Sequence, residues 1–163
     1  MKLPALATLL LSYGMLCTSL LAAQTPAPAP SAPHEDYSGT YSFLKEGEFV
    51  QISVEDAGKV TGFISRYGDT DSDRDSFLDH FFKQGKLDGK KLTFSTQVVH
   101  GVSYEFTGAV ERGEGKNPGD EAYYVLKGTL VQSRTDADKK VSSKSTEVAF
   151  KSFPQNLDSP DQK

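Results

Sequence analysis

Apolar and polar residues alternate along most of the chain after its first quarter. From Val102 to Val110, for example, Val, Tyr, Phe, Gly and Val positions alternate with Ser, Glu, Thr and Ala. A period of two turns one face of a strand toward a core and the other toward solvent, as in an antiparallel sheet. The pattern predicts eight strands, at about residues 39–45, 48–55, 59–67, 84–88, 91–98, 102–112, 121–132 and 141–151.

Turn residues separate these runs at short intervals, among them Asp88-Gly89 and His100-Gly101. Short connections favour an up-and-down meander, and eight strands can close on themselves so that no edge is left exposed. We therefore predict an all-β fold, an antiparallel eight-stranded up-and-down barrel. An open β-sandwich is the alternative.

One segment departs from the period of two. Residues 76–83 have apolar side chains at Phe77, Leu78, Phe81 and Phe82, which is the spacing of one face of a helix. We expect one short helix here, lying across one end of the barrel. It would be either a plug that completes the core or a lid over a ligand mouth.

The N-terminal sequence predicts export. Residues 1–23 begin with the positive Lys2, continue as an apolar run and end in small residues, as secretory signal peptides do. Residues 24–35 are rich in Pro and Ala, which is typical of a semi-rigid extended linker. We expect cleavage, no membrane span afterwards and a periplasmic or extracellular location. The β-barrel domain would cover 36–153, followed by a disordered tail over 154–163.

Composition excludes several classes of protein. The 163 residues include 22 acidic and 18 basic side chains, for a net charge of −4, which argues against a nucleic-acid binder. The single cysteine, Cys17, lies in the predicted signal peptide, so the domain has no disulfide, thiol nucleophile or Cys-ligated zinc. Because no nucleophile elbow, phosphate loop or dinucleotide fingerprint is present, we expect no enzyme.

An acidic segment is the candidate metal site. Its alternating carboxylates are Asp69, Asp71, Asp73 and Asp75. Calcium loops supply several carboxylate oxygens to one ion in this way, although the Gly and Glu of an EF-hand loop are missing in either frame. The alternative is a solvated turn, whose negative charge favours the start of a following helix. We expect no cofactor, and calcium at this segment is the one alternative.

Aromatic residues are the candidate ligand-binding residues. The chain has ten Phe, seven Tyr and no Trp. Six rings are expected on the inward face: Tyr41, Phe43, Phe94, Tyr104, Phe106 and Tyr124. The interior of a small barrel is either filled by such side chains or holds one small ligand, which Tyr hydroxyl groups would orient. The alternative is that these rings fill the core.

The first three predicted strands contain three short motifs. They are Gly39-Thr40-Tyr41, Val50-Gln51-Ile52-Ser53-Val54 and Gly58-Lys59-Val60-Thr61-Gly62. Over these strands the chain resembles the avidin family of small eight-stranded barrels, and as a whole it is similar to small exported bacterial proteins. The resemblance implies an avidin- or lipocalin-like barrel. Tyr41 and Phe43 stand where that family has a tryptophan and an asparagine, so biotin is not the expected ligand.

Two functional hypotheses follow. The first is a secreted, non-enzymatic β-barrel that binds a small or peptide-like ligand at one end. The second is an extracellular or envelope interaction module with a packed barrel, which works through its surface or through the acidic loop 69–75. The partner is then a small molecule or a protein, and an oligomer is compatible with either hypothesis. An enzyme whose site is invisible in one sequence is a third alternative.

Overall fold

The computed structural model describes residues 35–71, 73–74 and 76–155. These residues form eight strands and a 3-10 turn (Asp56–Gly58) between the second and third strands. Each strand pairs antiparallel with the next one along the chain, so the predicted all-β up-and-down meander is confirmed. The strands are β1 (Gly39–Ser42), β2 (Phe49–Val54), β3 (Val60–Tyr67), β4 (Phe77–Asp88), β5 (Lys91–Thr96), β6 (Val102–Arg112), β7 (Tyr124–Thr135) and β8 (Val141–Lys151).

The sheet curls so that β1 and β8 meet over a short seam. Tyr41 and Ser152 form an isolated antiparallel bridge. Beside it, the Phe153 N–H group donates to the Thr40 carbonyl at 2.8 Å, and the Lys151 N–H group donates to Ser42 Oγ at 3.0 Å. Because β1 is four residues long, it does not reach the first half of β8. Among the described residues that half pairs with β7 alone, so the barrel has an opening in its side.

Aromatic rings fill the middle of the barrel. The Phe94 ring stacks on Phe82 at 4.3 Å and on Phe106 at 5.2 Å between ring centroids. Gly108 pairs with Gly128 across β6 and β7, and this pair leaves room for the Phe106 ring. A Cβ atom at Gly108 would lie 2.6 Å from Phe106 Cζ. Burial of each large apolar side chain contributes about 1.5–3 kcal/mol, so these rings are a main source of stability.

The predicted helix over residues 76–83 is wrong, because β4 runs through this segment. Phe77 and Phe81 point outward and are about half exposed, whereas His80 between them is fully buried. The apolar spacing resembled a helix because the outer face of β4 is aromatic and its inner face includes a polar residue. The described residues therefore have neither a helical plug nor a helical lid at this end.

Most of the predicted terminal segments lie outside the described residues. This holds for the signal peptide over 1–23, for the linker over 24–35 except its last residue, and for the tail over 154–163 beyond Gln155. In the described part of the chain, no helix has the length and hydrophobicity needed to cross a membrane.

Candidate ligand site at the mouth of the barrel

One end of the barrel, here called the mouth, is where β3, β5 and β7 end. Alternation along β3 turns both Ile64 and Arg66 inward, and both are buried. His80 on β4 and Tyr104 on β6 are buried beside Arg66, with exposed fractions of 0% and 2%. Isolated buried charges are costly, so a guanidinium inside a barrel requires nearby partners.

Arg66 has partners on three sides. Its Nε atom donates to His80 Nε2 at 3.0 Å. Its Nη1 atom donates to the Tyr67 carbonyl and to Asp69 Oδ2, each at 2.9 Å. The guanidinium also lies 6.0 Å from the centre of the Tyr104 ring, within range of a cation–π interaction. These contacts hold Arg66 in one position at the base of the mouth.

His80 is the buried donor of the mouth. Burial and the neighbouring Arg66 charge lower the pKa of His80 to about 4, so the ring is neutral at pH 7. Because Nε2 accepts from Arg66, Nδ1 bears the proton. A hydrogen-bonding interaction with the backbone of Gln97 partly opposes the fall in pKa, but among the described residues no acceptor of Nδ1 meets full hydrogen-bond geometry. The buried Nδ1–H group of His80 is thus incompletely satisfied.

Tyr104 lies beside the Arg66 and His80 side chains of the mouth. Its ring meets His80 edge-on at 5.3 Å between centroids. Burial raises the pKa of Tyr104 to about 12, Arg66 acts against that rise, and Asp69 and Glu48 add to it. Within the described residues the Tyr104 hydroxyl makes no hydrogen bond. The Tyr104 hydroxyl is therefore a second polar group of the mouth that lacks a hydrogen bond in the described structure.

An ion-pair network ties the loop after β3 to the end of β7. Asp69 Oδ2 accepts from Arg134 Nη2 at 2.6 Å as well as from Arg66. These contacts lower the pKa of Asp69, against the raising effect of its partial burial. A second link joins Asp73 Oδ2 to His100 Nδ1 at 2.8 Å. These contacts therefore link the loop between β3 and β4 to the end of β7 and to the turn before β6.

The side opening leads into the mouth along β7 and β8. Gln132 pairs with Lys144, and Arg134 pairs with Ser142, on the face that buries Leu130 further down. A depression of about 310 Å³ lies there, lined by Gln132, Arg134, Ser142, Ser143 and Lys144. Lys144 has no ion-pair partner among the described residues. This rim is polar and cationic.

The six aromatic residues predicted to bind a ligand do not line one pocket. Phe43 and Tyr104 lie at the mouth, where their rings meet edge-on at 5.3 Å. Phe94 and Phe106 are stacked in the middle of the core. Tyr41 and Tyr124 lie toward the opposite end, where the Tyr41 hydroxyl donates to the Tyr37 carbonyl at 2.7 Å. Phe43 and Tyr104 are thus the two that contribute to the mouth.

The aspartates predicted to bind calcium have protein partners where they are described. Asp69 pairs with Arg66 and Arg134, Asp71 with Arg74, and Asp73 with His100. Asp75 lies outside the described residues. Among the residues that the structure does describe, no group of three or more His, Cys, Asp or Glu side chains converges as a metal site. These contacts favour the solvated turn, and calcium binding is the alternative to it.

Sequence reasoning missed Arg66 and His80. Arg66 does leave a signal, because it follows Val60 and Ile64 at an even spacing on β3, where alternation calls for an inward residue. A charged side chain at an inward position of a strand is unusual and indicates a functional site. His80 leaves no such signal, since the spacing around it resembled a helix.

Comparisons with known proteins show the fold. No protein-family model and no curated protein sequence matches the chain. The crystal structure of a rhizavidin–biotin complex matches with a TM-score of 0.52 and 13% identity, over 71% of this chain and 99% of that one. A crystal structure of rhizavidin matches with a TM-score of 0.52 and 14% identity, over 77% and 89%. That of apo short afifavidin gives 0.51 and 11%, over 71% and 95%.

The chain therefore has an avidin-like barrel fold, and the resemblance predicted from its first three strands is confirmed.

Proposed function

We propose that this protein is a non-enzymatic binder that holds a small or peptide-like ligand at the mouth of its barrel. The observation that supports this most is the buried His80 Nδ1–H group, for which no acceptor among the described residues has full hydrogen-bond geometry. A buried donor without a partner costs about 1–3 kcal/mol, and an acceptor atom of a ligand would recover that cost. The adjacent Tyr104 hydroxyl would supply a second contact.

The ligand would rest on the core rather than enter it. Phe43 packs against Tyr104 and against Phe150, at 5.3 Å and 5.2 Å between ring centroids. These rings form the floor of the mouth, and the opening beside β8 would admit the ligand. The class of function also agrees with the fold, since one rhizavidin crystal structure is a complex with biotin.

We also propose that the protein acts outside the cytoplasm, in the periplasm or the extracellular space. The support is the sequence of residues 1–23, with its positive start, apolar run and small residues. After cleavage, the Pro/Ala-rich residues 24–35 would form an extended N-terminal segment before the barrel.

Thermal unfolding with a panel of small metabolites and short peptides, biotin included, tests the proposal. A ligand at 100 times its Kd adds about 2.7 kcal/mol to the free energy of unfolding. For a domain of this size that raises Tm by several degrees. We expect at least one compound to raise Tm in the wild type. Native mass spectrometry of protein purified from its own host would identify a ligand that is already bound.

Two conservative variants locate the site. Tyr104→Phe removes one hydroxyl group at the mouth, and His80→Gln removes the Nδ1 donor while keeping an acceptor for Arg66. We expect each to reduce the ligand-induced rise in Tm. Tyr124→Phe removes the same hydroxyl group toward the opposite end and should leave the rise intact. A rise that both mouth variants retain would contradict the proposed site, and a panel without any effect would contradict ligand binding.

A further inference from the structure

The outer face of β2, β3 and β4 has an aromatic surface that the ligand site does not explain. Its rings form two groups. Phe63 lies 5.9 Å from Phe49 and 5.5 Å from Phe81, and Tyr67 lies 4.5 Å from Phe77, between ring centroids. Phe77 and Phe81 are 50% and 53% exposed. Exposed rings grouped on one face, unlike single scattered apolar residues, are a candidate interaction surface.

A carboxylate lies between the two groups of rings. Asp79 alternates with Phe77 and Phe81 on the outer face of β4 and is exposed. Its neighbour across the strand pair is Ser65, whose hydroxyl group donates to Asp79 Oδ1 at 2.7 Å. This contact orients the carboxylate but leaves its charge unbalanced. Among the described residues, no Lys, Arg or His side chain forms an ion pair with Asp79.

We propose that this aromatic-framed carboxylate is a docking site for a partner protein that presents a Lys or Arg side chain between apolar residues. The carboxylate would pair with the cation. The surrounding rings attract a cation through their π faces and cover the apolar side chains beside it. The carboxylate thus complements the cation of such a segment, and the rings complement its apolar residues. The site lies outside the barrel and does not depend on the ligand site at the mouth.

A second copy of this chain fits the surface less well. A Phe side chain has an area of about 150–250 Å², so the two half-exposed rings expose roughly 200 Å² together. A stable dimer buries about 800 Å² on each partner. Two copies stacked face to face would also bring two Asp79 carboxylates together, and like charges at an interface oppose association.

Titration of the isotope-labelled protein with two peptides, followed by two-dimensional NMR, tests this assignment. The peptides are acetyl-Gly-Leu-Arg-Leu-Gly-amide and its counterpart with Glu in place of Arg. We expect the Arg peptide to shift the backbone amide signals of Ser65, Asp79 and Phe81, and to saturate with a Kd on the order of 1 mM. The Glu peptide should leave these signals in place.

Variants separate the two parts of the site. Asp79→Asn should weaken binding of the Arg peptide about fivefold, because the ion pair is lost. Phe81→Ser should also weaken its binding about fivefold, because the ring is lost. Glu105→Gln makes the same change of charge at an exposed position of β6 and should not alter the Kd. Amide spectra that are unaltered away from the substituted position show that each variant is folded.

Three results would overturn the assignment. They are equal shifts with the Glu peptide, an Asp79→Asn variant that binds as the wild type does, and shifts that avoid β2–β4. Sedimentation that depends on concentration and that Phe81→Ser abolishes, without an effect of the Arg peptide, would assign the surface to a second copy of the chain instead.

Discussion

The buried His80 should make the stability of the fold depend on pH. Its pKa is lowered from 6.5 to about 4 by burial and by Arg66. In the unfolded chain the ring has its ordinary pKa, so as the pH falls below 6.5 the unfolded state binds the proton first. The stability from the neutral ring is present above pH 6.5 and is lost by about pH 4. The total is about 3 kcal/mol.

Urea unfolding at pH 7.5 and pH 4.5 measures this loss. At pH 4.5 the loss from His80 is about 2.5 kcal/mol. Other groups that titrate in this range affect the wild type and His80→Gln alike, so the difference between the two proteins isolates His80. We expect the free energy of unfolding of the wild type to fall by about 2.5 kcal/mol more than that of His80→Gln.

His100→Gln is the control for the pH experiment. The His100 side chain is 53% exposed. We expect the free energy of unfolding of this variant to fall between pH 7.5 and pH 4.5 by as much as that of the wild type. An equal fall in the wild type and in His80→Gln would refute the reasoning, because His80 would then bind its proton equally well in both states.

Three further predictions concern the core, a glycine and the acidic loop. Phe106→Ala should lower the free energy of unfolding by about 3–5 kcal/mol. Phe81→Ser on the outer face should lower it by less than about 1 kcal/mol. Equal losses in urea unfolding would contradict the assignment of inner and outer faces. Gly108→Ala should cost about 1–3 kcal/mol, because its methyl group would press on the Lys127 carbonyl group and on the Phe106 ring. An unchanged Tm would contradict this packing. Calcium and a chelator should give the same Tm, because the described carboxylates of the loop 69–75 are paired with Arg or His side chains; a higher Tm in calcium would instead support the calcium site.

The fold could be predicted because alternation and turn residues act locally. In β6, apolar residues point inward and polar residues outward, and the predicted strands at β6 and β7 agree with the observed ones to within a few residues. β4 reverses this rule, with Phe77 and Phe81 outside and His80 inside. Hydrophobic periodicity assumes that the inner face of a strand is apolar. It therefore fails for a strand such as β4, whose inner face includes a polar residue and whose outer face is aromatic.

The mouth was harder to predict because its members come together only in the folded sheet. Arg66, His80 and Tyr104 come from three different strands, and their contacts depend on the register of the sheet. Tyr104 was predicted as a ligand residue since it is an inward aromatic residue. Its polar neighbours were missed, because a single sequence does not show which inward position is close to which.

The short seam between β1 and β8 sets the order in which the molecule assembles. Every ladder of the meander joins strands that are neighbours in the sequence, whereas the seam contact between Lys151 and Ser42 joins residues 109 positions apart. Closing so long a loop costs more chain entropy than forming a hairpin. We therefore expect the seam to form last during folding and to open first by thermal fluctuation. Opening of this one short seam would widen the opening in the side of the barrel.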